Sequence, residues 1–427
     1  MAGRQGYSGL LWHYEEVTLK NTLKMKVLIV SFYYTPEMGA APSRITNMAE
    51  GMAAEGCDVD ILTCLPNYPK GKIFDGYTRC YSKKESIRGI NVYRYWTYAT
   101  VSKNPFARMF GMLFFALDIW VFGLKCRRVK GYDRIIINTP PLLVAFSAML
   151  LFRCIYRKCA VLNVSDLWPI SALELGAVRK ESFSYKFMLW MERFLYRNTS
   201  AYQGQSQQII DHIESFKFKK QHFLYRNLQP RQQLPTQEVG DRNCFRIVYA
   251  GLLGVAQDIL GIIQHINFKE IGAELHIYGG GNQAEAIQQY ISGKDCGVVF
   301  HGYQPKQAIN SVLGCFHASI VPLAVAITGA VPSKIFDLLP HGTPVLFAGG
   351  GEGETIVKRN GFGLTSKPGD YESLKENILI LKTIPEGEYQ SFRQRCTEAS
   401  QSDFSFDNQI EKYCNFLKQI PCTNIHS

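Results

Sequence analysis

The chain has 427 residues, 46% hydrophobic and 19% charged, a composition that excludes a disordered chain or a coiled coil and suits two domains of ordinary size. Its formal net charge of +11 calls for an anionic partner, whether nucleic acid, a phosphorylated substrate or an acidic membrane surface. The 12 cysteines are scattered, with no CxxC pair and no Cys/His cluster at zinc spacing, so they read as reduced, mostly buried thiols rather than a disulfide or metal framework.

Residues 1–24 lack the apolar core of a signal peptide and carry Glu15 and Glu16. They read as a mobile extension, or Met25 as the start. Lys26-Val27-Leu28-Ile29-Val30-Ser31 is a β-branched run typical of a buried parallel strand. A Gly/Pro-containing loop, Tyr33 to Pro42, leads into a helical pattern from Ser43 to Gly56, and Val59–Thr63 is the next strand. This is the opening unit of a doubly wound sheet. Further strands are expected at Arg134–Asn138, Ala160–Val164 and Ala201–Gln205, with helices from Leu142, Phe183 and Ser206.

Between these elements lies Met109–Leu124, apolar except for Asp118 and followed by the basic run Lys125-Cys126-Arg127-Arg128-Val129-Lys130. It is shorter than the about 20 apolar residues of a spanning helix. Three readings are open: a buried core helix, an interfacial helix with its cations on anionic lipid, or a transmembrane span.

The alternation breaks in a Gln/Pro/Arg-rich stretch, placed as a linker at 227–245, and then starts afresh. Strands are expected at Arg246–Ala250, Glu274–Tyr278, Val298–His301, Ala318–Val321 and Pro344–Phe347, with a helix at Gln257–Asn267. The reading is α/β: a Rossmann-like domain at 25–226, a second at 246–403, and a last helix within 404–427 that packs back toward the first. Ligands in such sheets sit beyond the carboxyl ends of the strands, here across a shared cleft.

Four segments carry a family resemblance: Phe32–Arg44, Asn163–Pro169 with its Ser165-Asp166-Leu167-Trp168-Pro169, Val248–Asp258, and Thr328–Asp337 followed by Gly342-Thr343-Pro344-Val345. Together they resemble the family 4 glycosyltransferases of the GT-B fold, in the subgroup that builds bacterial O-antigen, capsule or exopolysaccharide. The resemblance covers residues 25–420.

It implies an acceptor side formed by Gly39, Ser43, Arg44 and Trp168. Asp166 there either orients and deprotonates the acceptor hydroxyl or caps its own turn. It implies a donor side formed by Gly251, Gly254, Gln257, Gly279, Gly281, Ser333, Lys334 and Asp337. Lys334 would meet the leaving diphosphate, with free amides at the helix after Pro332 as a second anion site.

Two departures stand out. The Val255–Asp258 stretch lacks the Arg or Lys that many relatives place near the diphosphate. Gly329 stands where the broader family has the first glutamate of Glu-x7-Glu, the second being Asp337 here.

The implied chemistry is retaining and metal-independent, with no cofactor and a nucleotide-linked donor, probed first as UDP. The sugar would be an N-acetylated hexosamine or deoxyhexosamine and the acceptor a polyprenyl-diphosphate-linked saccharide. The place would be the cytoplasm or the cytoplasmic face of the inner membrane, on an anionic surface. A degenerate sugar-nucleotide-binding subunit and a GT-B epimerase are the alternatives. Nothing resembles a nucleic-acid-binding helix with interleaved aromatics.

Overall fold

The computed structural model describes residues 24–100, 102, 105–125, 127–174, 176–230 and 239–421. All but the last residue of the expected extension 1–24, and the middle of the expected linker, lie outside these.

The first half builds an eight-stranded sheet. Its strands are β1 (Lys26–Val30), β2 (Asp58–Cys64), β3 (Ser82–Ile87), β4 (Ile90–Tyr95), β5 (Arg134–Thr139), β6 (Ala160–Val164), β7 (Ala201–Gly204) and β8 (Gln221–Leu224). They lie in the order β3-β4-β2-β1-β5-β6-β7-β8, and only the β3–β4 pair is antiparallel. The second half builds a six-stranded parallel sheet from β9 (Phe245–Ala250), β10 (Ala273–Tyr278), β11 (Val298–Gly302), β12 (Ala318–Pro322), β13 (Val345–Ala348) and β14 (Gly363–Ser366). Their order is β11-β10-β9-β12-β13-β14. The central strands are apolar on both faces and almost fully buried, as parallel strands covered by helices must be.

Helices α1 (Ala40–Ala54), α2 (Pro105–Lys125), α3 (Leu142–Ala148), α4 (Ile170–Glu174), α5 (Phe183–Asn198) and α6 (Gln207–Ser215) belong to the first half. The second half has α7 (Ile259–His265), α8 (Ala284–Ile291), α9 (Lys306–Asn310), α10 (Lys334–Leu338), α11 (Glu352–Asn360), α12 (Tyr371–Thr383), α13 (Glu386–Gln401) and α14 (Phe406–Gln419). α14 returns to the first half: Ile410 and Phe406 pack on Gly51 of α1, and Arg134 donates to the carbonyls of Leu417 and Ile420.

Two helix expectations need correction. α1 begins three residues before Ser43, with Gly39 as its N-cap at φ 136° and Pro42 inside the first turn, where a missing N–H costs nothing. The expected helix at Gln257–Asn267 is broken: Val255–Gln257 is a 3₁₀ turn, and Asp258 is left-handed at φ 51° before α7 starts. The Tyr371 hydroxyl donates to the Asp258 carboxylate at 2.6 Å and holds that turn.

In each sheet the strand order reverses once, between β1 and β5 and between β9 and β12. The loops leaving β1 and β9 are therefore the expected ligand positions.

Candidate active site

Asp166 lies just past the end of β6, and Arg44 comes from α1 beside it. The Arg44 guanidinium bonds inside the first domain through Nη1 to Gln205 Oε1 at 3.0 Å and through Nη2 to Ser165 Oγ, while its buried Nε is without a protein partner among the described residues. Gln205 in turn donates to the Ser165 carbonyl. Arg44 thus props the Ser165–Trp168 loop from within the first domain. Burial pulls its proton affinity down, and the Asp166 carboxylate opposes that shift.

Asp166 reaches water, yet protein crowds around it. That crowding lifts its carboxyl above the usual carboxylate range against the pull of Arg44. Its carboxylate makes no hydrogen bond among the described residues, so the turn-capping reading is not realised. Trp168 is half-buried and packs on the first domain's core. Gly39 faces the Tyr68 ring, and the Ser43 amide bonds the Gly39 carbonyl at 3.1 Å. The loop's own anchor is Glu37, whose carboxylate accepts the amides of Tyr34, Asn67 and Tyr68.

On the opposite domain, the loops after β9 and β10 lock together. Leu253 N donates to Gly280 O at 2.9 Å and Gly251 N to Tyr278 O at 2.8 Å. A methyl group at Gly279 would collide with the Gly251 carbonyl oxygen, and one at Gly281 with that of Leu253. These glycines are needed for backbone against backbone. The amides of Gly251 and Leu253 are consumed by this pairing. Gly254 and Gln257 close the turn, Gln257 N on Gly254 O at 3.0 Å.

Lys334 folds into the space beside Gly251, its Nζ 4.0 Å from the Tyr249 ring centroid, and a Cβ on Gly251 would strike it. Burial lowers its pKa to about 8, opposed by Asp337. Asp337 is raised to about 6, also by burial, with Lys306 and Lys334 opposing. Its Oδ1 is buried without a protein partner.

The expected anion site at the start of the Ser333–Lys334 helix is weaker than the sequence suggests. α10 is only five residues long, and Ser333 is itself helical and makes no capping bond. A single turn has little macrodipole, so the Lys334 cation is the stronger source of positive charge here than the helix end.

Residues that the sequence reading missed join the two walls. Glu352, 7% exposed at the start of α11, accepts the Gln208 amide of α6 at 3.0 Å and pairs with Arg226 at 2.7 Å. Gln208 Oε1 accepts the Gly329 amide at 2.9 Å, and the Glu174 carboxylate accepts both the amide and hydroxyl of Thr328. Lys306 donates to Gln229, which also accepts from Asn47 of α1. The only sequence signal for Glu352 is its place after Gly349-Gly350-Gly351 at a helix start.

Substituting Glu352 with Gln is expected to destabilise the domain junction by about 1–3 kcal/mol, the range for a partly buried charge-assisted contact. The single thermal transition should split or broaden in calorimetry. An unchanged single transition at the wild-type temperature would remove Glu352 from the junction.

With this geometry in view, the comparisons with known proteins are consistent. Residues 39–225 match the model of a glycosyl transferase 4-like domain, and residues 245–383 that of glycosyl transferases group 1. The chain belongs to the family 4 glycosyltransferases, with the GT-B fold. It is 28% identical over 156 residues to a putative colanic acid biosynthesis glycosyl transferase, WcaI, of Escherichia coli K12. That match spans 36% of this chain and 38% of the relative. Among solved structures it is similar to the sucrose-phosphate synthase of Thermosynechococcus elongatus (TM-score 0.68, 15% identity, 93% of this chain and 99% of that one). It is also similar to Anabaena Alr3699/HepE in complex with UDP and glucose (TM-score 0.64, 12% identity, 92% and 99%).

Proposed function

We propose that the chain is a retaining, metal-independent glycosyltransferase of surface polysaccharide biosynthesis. It would move a sugar from a nucleoside diphosphate, UDP first among the candidates, onto a polyprenyl-diphosphate-linked saccharide at the cytoplasmic face of the inner membrane. The observation that carries this is the half-buried Lys334 and Asp337, set against the interlocked glycine turns of one domain, with Leu167 of the Asp166 loop of the other domain packed at Gly329 nearby.

In this reading the acceptor hydroxyl attacks from the side the diphosphate leaves, and the diphosphate takes the hydroxyl's proton. Positive charge grows on the sugar ring and negative charge on the leaving phosphate. Lys334 is already desolvated where that negative charge appears, so its field acts undiluted by water. The partnerless Oδ1 of Asp337 is a ready acceptor for a ribose hydroxyl. Asp166 orients the incoming hydroxyl.

The test is a melting series of the full chain with a panel of nucleotide sugars, then transfer from the stabilising donor to polyprenyl-diphosphate saccharides. The product's anomeric configuration is read by NMR. Inversion would sink the retaining mechanism, and no stabilisation by any donor would sink the whole reading. Binding without transfer to any acceptor would mark a degenerate subunit instead.

Replacing Asp166 by Asn should lower turnover about tenfold while leaving donor binding unchanged, as expected of an orienting group. Since crowding raises its carboxyl, wild-type activity should fall at a higher pH on the acid side than for an ordinary aspartate, and that limb should vanish in the variant. A persisting acid limb would assign it elsewhere.

A further inference from the structure

The strongest feature outside the cleft is an exposed apolar layer on the first domain. α2 is amphipathic in an unusual sense. Phe115, Ile119 and Phe122 are buried against the sheet, and Asp118 on that side is held by the Tyr81 hydroxyl. The opposite stripe, with Phe110, Leu113, Leu117 and Leu124, faces outward, Phe110 at 53% exposure. By length and composition α2 can cross a membrane. Its inner face, however, is committed to protein: Trp120 donates to Ser147 of α3 at 3.0 Å, and Ser147 donates to Ala116 O at 2.6 Å.

α5 presents a second outward stripe of the same kind. Phe183 is 83% exposed and Trp190 52%, with Phe187 stacked between them at ring separations of 6.1 and 5.7 Å. α3 lies between the two helices, and its half-buried Phe146 packs on Trp190 and Phe194. The exposed charges on α2 and α5 are Arg108, Lys125, Lys186, Arg193 and Arg197, while the acids of these helices, Asp118 and Glu192, are buried. Outward apolar rings flanked mostly by cations, with Glu181 the exposed acid just before α5, match the order of a bilayer surface, acyl chains beside anionic headgroups. A second copy of this chain would instead bring cation against cation.

We propose that α2 and α5 together form a two-helix platform that lies in the interface of an anionic bilayer, with α3 as the spacer. Trp190 and Phe187 enter the acyl boundary, and Lys186, Arg193 and Arg197 contact the headgroups. α2 lies flat instead of spanning, and the newly assigned partner of α5 is the lipid itself. The inference goes beyond the transfer reaction and does not require it, since vesicle binding needs no sugar.

The test uses the full chain with vesicles of phosphatidylcholine alone or with phosphatidylglycerol, assayed by flotation at low and high salt. Binding is expected only with the anionic lipid, and it should weaken as salt rises. The paired change Phe183→Ser and Trp190→Ser should weaken it by about tenfold or more, with nucleotide-sugar stabilisation intact. Brominated lipids should quench wild-type tryptophan fluorescence more than that of Trp190→Phe. Unchanged vesicle binding in the paired variant would overturn the proposal, as would a concentration-dependent dimer that the same change disperses. Failure of donor binding with vesicle binding retained would strike the enzymatic reading alone.

Discussion

Replacing Lys334 by Met is expected to cost about 1.5–3 kcal/mol of donor affinity, roughly tenfold to 150-fold, the range for a lost charge-assisted contact. Turnover should fall by about a hundredfold or more, since the charge acts where the leaving phosphate develops its own. Met fills the same volume over Tyr249 and beside Gly251, so packing loss is small.

The same change should make the ligand-free protein more stable near neutral pH. Burial holds Lys334 at about 8 against an ordinary 10.5. Below 8 both folded and unfolded chains carry the proton, and the folded state bears the full penalty of a desolvated cation. Between about 8 and 10.5 the unfolded chain holds the extra proton, so wild-type stability rises with pH there. The Met variant should lose that rise. Loss of the cation–π contact, worth about 0.5–2 kcal/mol, offsets part of the gain.

Wild-type donor affinity should decline above about pH 8 as the free lysine gives up its proton. Calorimetric titration and melting at pH 7 and 9 test all of this. Equal donor affinity in the variant would take Lys334 out of the phosphate site.

The sequence reading recovered the strands that physics makes distinctive. β1, β2, β5, β6 and β9 are short runs buried on both faces, and they read as continuous apolar stretches. The strands it missed are edge strands or next to them. β3 reads Ser-Lys-Lys-Glu-Ser-Ile, with alternate residues in water, and the four-residue edge strands β8 and β14 are only partly buried, unlike the equally short but fully buried β7 and β13. β4 hides Arg94, fully buried and held by Glu85 and the Thr35 carbonyl. A charged residue in that place argues locally against a buried strand.

For the site, residues that matter through their own backbone were legible. Gly251, Gly279 and Gly281 announce close approach by being glycine. Glu352 and Gln208 matter through a contact across 144 residues of chain. Nothing in either segment alone specifies the other. Arg44 shows the converse: its type suggested a ligand contact, and the structure adds bonds to Ser165 and Gln205 that its own segment does not specify.

The missing glutamate has a geometric counterpart, and it sets the second large effect. Gly329 has φ 82°, its amide is held by Gln208, and a Cβ there would lie 2.8 Å from Ile209 Cγ1 and 3.3 Å from Leu167 Cδ1. In this chain the position is a packing point between the domains. Restoring the family residue with Gly329→Glu is therefore expected to harm the enzyme.

The left-handed backbone costs about 1–3 kcal/mol for a side chain. Overpacking against Ile209 and Leu167 costs about 1–3 kcal/mol more, and the carboxylate would be pressed against apolar neighbours. The cheapest relief is for the domains to part at that contact. Transfer should fall by about a hundredfold or more, while donor affinity changes little because Lys334 and Asp337 stay in one domain. Small-angle scattering should show a larger radius of gyration. Gly329→Ala, which adds only the methyl group, should show a milder form of the same change. Increased transfer in the Glu variant with an unchanged radius would mean that position 329 faces the sugar after all, and that the cleft closes differently from the contact described by Gln208, Ile209 and Leu167.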